Sequence, residues 1–191
     1  MPFEFDLTSK GWAAFGLRGS GKSWLLKSIA DTTPSHIVYD PLREHEGYNR
    51  YIPDDRTSVP ELNRFISEIV IPRRPALVVI DEASRYIKPK PNPLPEAVGD
   101  LNDFARHWKI SCGYVARRPV QFHTDIVELA DVVFFFALPG KNDHRYLEDL
   151  HVGLGDAVRE LPKYHFAVLS ENGRKWDVLP PIGEPKHPVK T

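Results

Sequence analysis

The residues GLRGSGKS, Gly16 to Ser23, match the pattern G-x-x-x-x-G-K-[ST] at every fixed position. The spacing suits one kind of chemistry. Glycines let the backbone curl so that successive N–H groups turn inward, and a helix that follows presents its positive end to the same point. Such a cradle fits the phosphates of a nucleotide. Lys22 would neutralise the β- and γ-phosphates, and the Ser23 hydroxyl would ligate Mg²⁺. Gly16, Leu17, Arg18, Gly19, Ser20, Gly21, Lys22, Ser23 and the adjoining Trp24 are therefore the candidate nucleotide-binding residues. Two expected neighbours support the motif: a short apolar run before it, Trp12–Phe15, and the helix-like SWLLKSIA after it.

A second stretch, ALVVIDEAS (Ala76 to Ser84), runs four apolar residues into two acids. That layout puts Asp81 at the C-terminal end of a buried strand, where it can hold Mg²⁺ through water. Glu82, directly after it, suits a base that polarises an attacking water, which hydrolysis needs and transfer to a bound acceptor does not. Together the two stretches predict ATP hydrolysis. A GTPase would want N-K-x-D, whereas GKND at 140–143 has those letters in the wrong order. A small-molecule kinase would have less use for Glu82.

These residues must be held by elements, and the apolar runs show which. Strand-like segments occur at 12–16, 36–39, 76–80, 110–116 and 132–137, separated by helical stretches at 22–30, 59–70 and 96–108. Continuous apolar strands alternating with helices describe a parallel sheet covered on both faces. Beyond residue 137 a short helix over 143–150 is expected. Two strands then flank Asn172-Gly173, an antiparallel hairpin closing the sheet. The fold class read from this is α/β, a RecA-like P-loop three-layer sandwich with a mainly parallel sheet. One ATPase domain spans 1–179 and a tail, loose or draped on the surface, spans 180–191. Proline at every second position of KPKPNPLP, residues 88 to 95, forbids helix and favours a stiff extended loop.

Composition narrows the classes. A chain of 191 residues with 41% hydrophobic and 27% charged residues can bury a full core. No apolar run reaches the roughly 18–20 residues of a membrane span, and MPFEFDLTSK lacks a signal-peptide layout, so we expect an intracellular protein. The single cysteine, Cys112, lies in the apolar run ISCGYVA and reads as a buried, inert thiol. The net charge of −1 gives no global sign of nucleic-acid binding. Basic residues do outnumber acidic ones over 72–118, with the reverse over 31–68, which fits either a local phosphate-binding face or ordinary solvated charge. The eight histidines are too scattered along the chain to suggest a metal site, and the four tryptophans read as packing residues.

The order GLRGSGKS, VIDEAS, LNDFARHWKISCGYVARRP and DIVELADVVFFFAL resembles the FtsK–HerA superfamily of ring-forming DNA-pumping ATPases, over roughly residues 10 to 138. Within it, the small size is most like the packaging ATPases of tailless viruses with an internal membrane. The resemblance implies a ring, hexameric in expectation, that moves double-stranded DNA without reading sequence, with ATP and Mg²⁺ as cofactors. It places the chain in the host cytoplasm, with association to the virion, a capsid vertex or a membrane protein as further options. Arg106 then corresponds to an arginine finger reaching the neighbouring subunit's ATP, a solvated surface arginine being the alternative. Arg117 stands where the superfamily commonly has a glutamine that senses phosphate. Arg118 suits a structural pairing near the turn, and Arg85 is a further candidate for an intersubunit contact. Lys88 and Lys90 could grip DNA, or their loop could be a plain linker. An ATPase of protein remodelling or phage assembly is the alternative function.

Overall fold

The computed structural model describes residues 5–171 and 173–185. The strands are β1 (Gly11–Phe15), β2 (His36–Tyr39), β3 (Arg50–Tyr51), β4 (Leu77–Ile80), β5 (Ser111–Ala116), β6 (Val132–Phe136), β7 (Phe166–Ser170) and β8 (Lys175–Leu179). They form one sheet in the order β3-β2-β4-β5-β1-β6-β7-β8. Pairing is parallel from β3 through β6 and antiparallel across β6-β7-β8. The fold is thus α/β with a mainly parallel sheet and an antiparallel C-terminal hairpin.

Each central strand is buried on both faces because its side chains alternate and both faces are covered. Phe15, Ile80, Tyr114 and Phe135 pack on one side. Helices α2 (Val59–Arg64), α4 (Glu96–Phe104), α5 (Thr124–Glu128), α6 (Lys141–Leu150) and α7 (Leu154–Arg159) contribute Leu62, Leu101, Ile126, Leu147 and Val158 to that face. Trp12, Val79, Val115 and Phe134 pack on the other, against Leu25 and Leu26 of α1 (Lys22–Asp31) and the partly buried Phe5 and Ile182. Ile182, within the expected tail, packs on this face; residues 186–191 and Asn172 are outside the described residues.

Three differences from the sequence reading have physical causes. The helix expected over 59–70 starts well, with the Ser58 hydroxyl accepting the Glu61 N–H (3.2 Å), then widens into a π-helical stretch, Phe65–Val70. It closes with the short α3 (Ile71–Arg73). The helix expected over 96–108 is regular only to Phe104. Its last turn is closed by Ile110 N–H to Ala105 O (2.9 Å) and Lys109 N–H to Arg106 O (3.1 Å), with Lys109 at φ 58°, a Schellman motif. Finally, β3, α5 and α7 were not expected: each is too short for hydrophobic periodicity to register.

Candidate nucleotide site

The C-terminal ends of four neighbouring strands meet at one edge of the sheet. β4, carrying Asp81 and Glu82, and β1, carrying the glycine loop, are separated by β5, whose next residue is Arg117. The Gly16 N–H donates to Arg117 O (3.1 Å), so loop and strand end are joined through backbone.

The loop folds this way because of its glycines. A Cβ on Gly16 would come within 2.5 Å of the Ser20 hydroxyl oxygen and 2.7 Å of Phe136 Cβ, and Gly21 adopts φ 116° at the N-cap of α1. No side chain caps α1 and no acid lies in its first turn, which leaves its amino end open to an anion. Lys22 Nζ donates to Gly16 O (2.6 Å) and Leu17 O (3.0 Å). Burial pulls its ammonium below the usual lysine range, while the nearby carboxylates of Asp81 and Glu82 oppose that shift. The lysine therefore lies in the field of both acids and of Arg117.

Asp81 is buried. Its Oδ1 accepts the Glu82 N–H (2.8 Å) and its Oδ2 lies 2.8 Å from His45 Nε2. Glu82 adopts φ 49°, an uncommon conformation for a residue with a side chain. Its carboxylate lies 3.3 Å from Arg117 Nη2 and 3.8 Å from Arg85 Nε. Arg85 thus engages Glu82 in its own chain. Ser23 and Asp81 offer hard oxygen donors, the type Mg²⁺ prefers. Each Asp81 oxygen accepts one hydrogen bond and so retains a lone pair.

The sequence reading missed a cluster behind Asp81. Lys27, Asp40 and His45 are all buried, and Arg50 Nη1 lies 2.9 Å from Asp40 Oδ2. Burial pushes the Asp40 carboxyl up, but the His45 N–H and imidazole, Arg50 and the Glu44 N–H outweigh it and hold it below the usual range. Burial lowers Lys27, against the pull of Asp40 and Glu44. Although the histidines are scattered along the chain, the parallel pairing of β2 with β4 brings His45 to Asp81 across 36 residues of sequence. The acid DP after β2 was the available signal.

Other expected residues fall elsewhere. Arg106 lies at the opposite, N-terminal end of the strands, 76% exposed, with Nη2 3.5 Å from Asp131 Oδ1. Asp131 also accepts the Gly11 N–H (2.9 Å) at the start of β1. Arg106 is therefore roughly a strand length of ~15 Å from its own glycine loop. Arg118 turns away from the site, its Nε and Nη2 at 2.9 and 2.8 Å from the buried Asp143 Oδ2. In the proline loop, Lys90 pairs with Asp125 and Lys88 Nζ donates to Ser84 O (2.9 Å). Burial pushes the Cys112 thiol up to about 12.

Trp24 differs from the other tryptophans. It lines, with Gly21, Phe136, Tyr164 and Ile182, a cavity of about 480 Å³ that opens from the glycine loop. Tyr164 is 46% exposed and held at φ 66°, a strained conformation for an aromatic residue.

No protein-family model and no curated protein matches the sequence. Solved structures do match. B204, the DNA-packaging ATPase from Sulfolobus turreted icosahedral virus, superposes with a TM-score of 0.78 at 16% identity, covering 92% of this chain and 98% of that one. The genome-packaging NTPase B204 from Sulfolobus turreted icosahedral virus 2, in complex with AMPPCP, gives 0.76 at 18% identity over 91% and 98%. The N-terminal domain of zonular occludens toxin from Neisseria meningitidis gives 0.57 at 17% identity over 69% and 78%. The likeness is one of fold. It agrees with the fold expected from the motifs, and it covers nearly all of the chain.

Proposed function

We propose that this chain is a Mg²⁺-dependent ATPase that works within a ring and moves double-stranded DNA, as in packaging a viral genome. The observation that carries the ATPase reading is the meeting of Gly16–Ser23, Asp81–Glu82 and Arg117 on adjacent strand ends, all within the field of Lys22. The DNA role rests on the fold likeness to B204, described as a DNA-packaging ATPase.

The residues divide the work as follows. The N–H groups of the loop and the start of α1 hold the phosphates, with Lys22 supplying positive charge. The base lies in the adjoining cavity against Trp24 and Tyr164. Ser23 and Asp81 would hold Mg²⁺, which would offset charge on the phosphate oxygens. Glu82 orients and polarises the attacking water, and Arg117, now 3.3 Å from it, reports on the terminal phosphate. Arg106, far from its own loop, acts on the nucleotide of a neighbouring copy.

The test is ATPase activity against protein concentration, with and without duplex DNA, alongside native mass. Activity should rise with assembly and with DNA. Steady turnover by a monomer indifferent to DNA would sink the motor reading. Under the second reading, an ATPase of protein remodelling or phage assembly, assembly would matter and DNA would not.

A further inference from the structure

His45 follows no motif, yet it is wholly buried and touches the acid on which metal binding depends. It lies in the loop after β2, and its Nε2 stands 2.8 Å from Asp81 Oδ2. The other ring nitrogen, Nδ1, is buried with no hydrogen-bond partner among the described residues. A buried N–H with no acceptor is the costlier arrangement, so the proton belongs on Nε2 and the ring donates to Asp81.

The loop that carries the ring is itself fixed. Asp40 Oδ1 accepts the Glu44 N–H (2.9 Å), and Oδ2 accepts the His45 N–H (2.9 Å) and Arg50 Nη1 (2.9 Å). Three donors occupy this carboxylate, one of them a guanidinium. That arrangement satisfies Asp40 without a metal ion, and so argues against a second metal among Asp40, His45 and Asp81. The cluster instead works as a chain of supports running Arg50, Asp40, His45, Asp81.

We propose that His45 is the positioning residue for Asp81. Its Nε2–H on Oδ2 and the Glu82 N–H on Oδ1 together fix the carboxylate's rotation, so that a lone pair on each oxygen stays directed for Mg²⁺ and its waters. This rests on the nucleotide-site reading above. In that reading Asp81 binds the metal; here the strength of that binding is set from the β2 loop, a segment outside the two nucleotide motifs.

The test measures binding rather than turnover. A fluorescent ATP analogue is titrated in EDTA and then at rising Mg²⁺, on the full chain. His45→Ala should leave affinity in EDTA within about 2-fold and raise the Mg²⁺ concentration for half-maximal tightening roughly 10–100-fold. His45→Gln places an amide N–H near the position of Nε2 and should recover most of that loss. An unchanged Mg²⁺ requirement in His45→Ala overturns the proposal, as does Gln performing no better than Ala when both melt alike. Should both variants fail to fold, Arg50→Ala loosens the same loop from its partly exposed end. It should raise the Mg²⁺ requirement by a smaller factor, and an unchanged requirement there overturns the proposal. Wild-type protein that binds no analogue in either condition overturns the nucleotide-site reading, and this inference with it.

Discussion

The two ends of the parallel strands carry charge in different ways. At the C-terminal end, Asp40, His45 and Asp81 are buried and joined by contacts of 2.8–2.9 Å, so each charge has a partner within the chain. At the N-terminal end, Arg106 is exposed and its contact with Asp131 is 3.5 Å, a geometry worth about 0–1 kcal/mol. A cavity of about 420 Å³ lies beside it, lined by Asp103, Glu128 and Leu129 among others. One end is built to hold a fixed arrangement. The other leaves its arginine free to exchange partners at little cost to its own fold.

The largest expected effect would break this contrast if it failed to appear. Arg106→Ala should cut turnover of the assembled protein by roughly 10³–10⁵, while its melting temperature stays within about 1 °C and ATP still binds. Normal steady-state turnover by that variant would return Arg106 to ordinary surface charge. At the opposite end, Glu82→Gln should slow hydrolysis by about 10²–10⁴ with ATP affinity retained, as read by single-turnover assays and filter binding. Lys22→Ala should cost roughly 2–5 kcal/mol of ATP affinity by calorimetry. Undiminished binding would mean that the glycine loop does not hold the phosphates.

Smaller effects sharpen the picture. Tyr164→Ala should weaken ATP by about 1–3 kcal/mol, the worth of stacking one base, while inorganic tripolyphosphate binds as before. Equal losses for both ligands would remove the base from that cavity. Glu61 is a control, a buried acid near the same strand ends with no part in the site. Burial pushes its carboxyl up, but the N–H groups of Asp55 and Asp54 and the Tyr51 hydroxyl outweigh this and hold it below the usual 4.5. Its stabilisation is therefore complete above about pH 4.5 and is lost as pH falls through the lower folded value. Glu61→Gln should cost about 1–2 kcal/mol at neutral pH, and the gap from wild type should narrow in melts as pH is taken below about 4.5. A gap that is constant with pH would contradict the assigned hydrogen bonds.

Much of the site was legible in sequence because its parts are local. Glycines, a lysine and a serine at fixed spacing specify a loop and a helix start, and four apolar residues before DE specify a strand end. What sequence could not supply was strand order. That β5 sits between β1 and β4, and that β2 brings His45 to Asp81, depends on pairing between residues far apart in the chain. Arg106 and Arg117 look alike as charged residues flanking one strand. Only the direction of β5 sends them to opposite ends of the sheet. Tyr164 gave no signal at all, since no local residue pattern marks its left-handed backbone or its place by the glycine loop.

Arg117 and Arg118 together set a limit on how the site can signal. The carbonyl of Arg117 is held by the Gly16 N–H, and the next residue is bolted to Asp143 at the head of α6. With the main chain tied on both sides, freedom of movement at Arg117 lies in its side chain rather than its backbone. That side chain is half exposed, and exposed side chains exchange rotamers in picoseconds to nanoseconds.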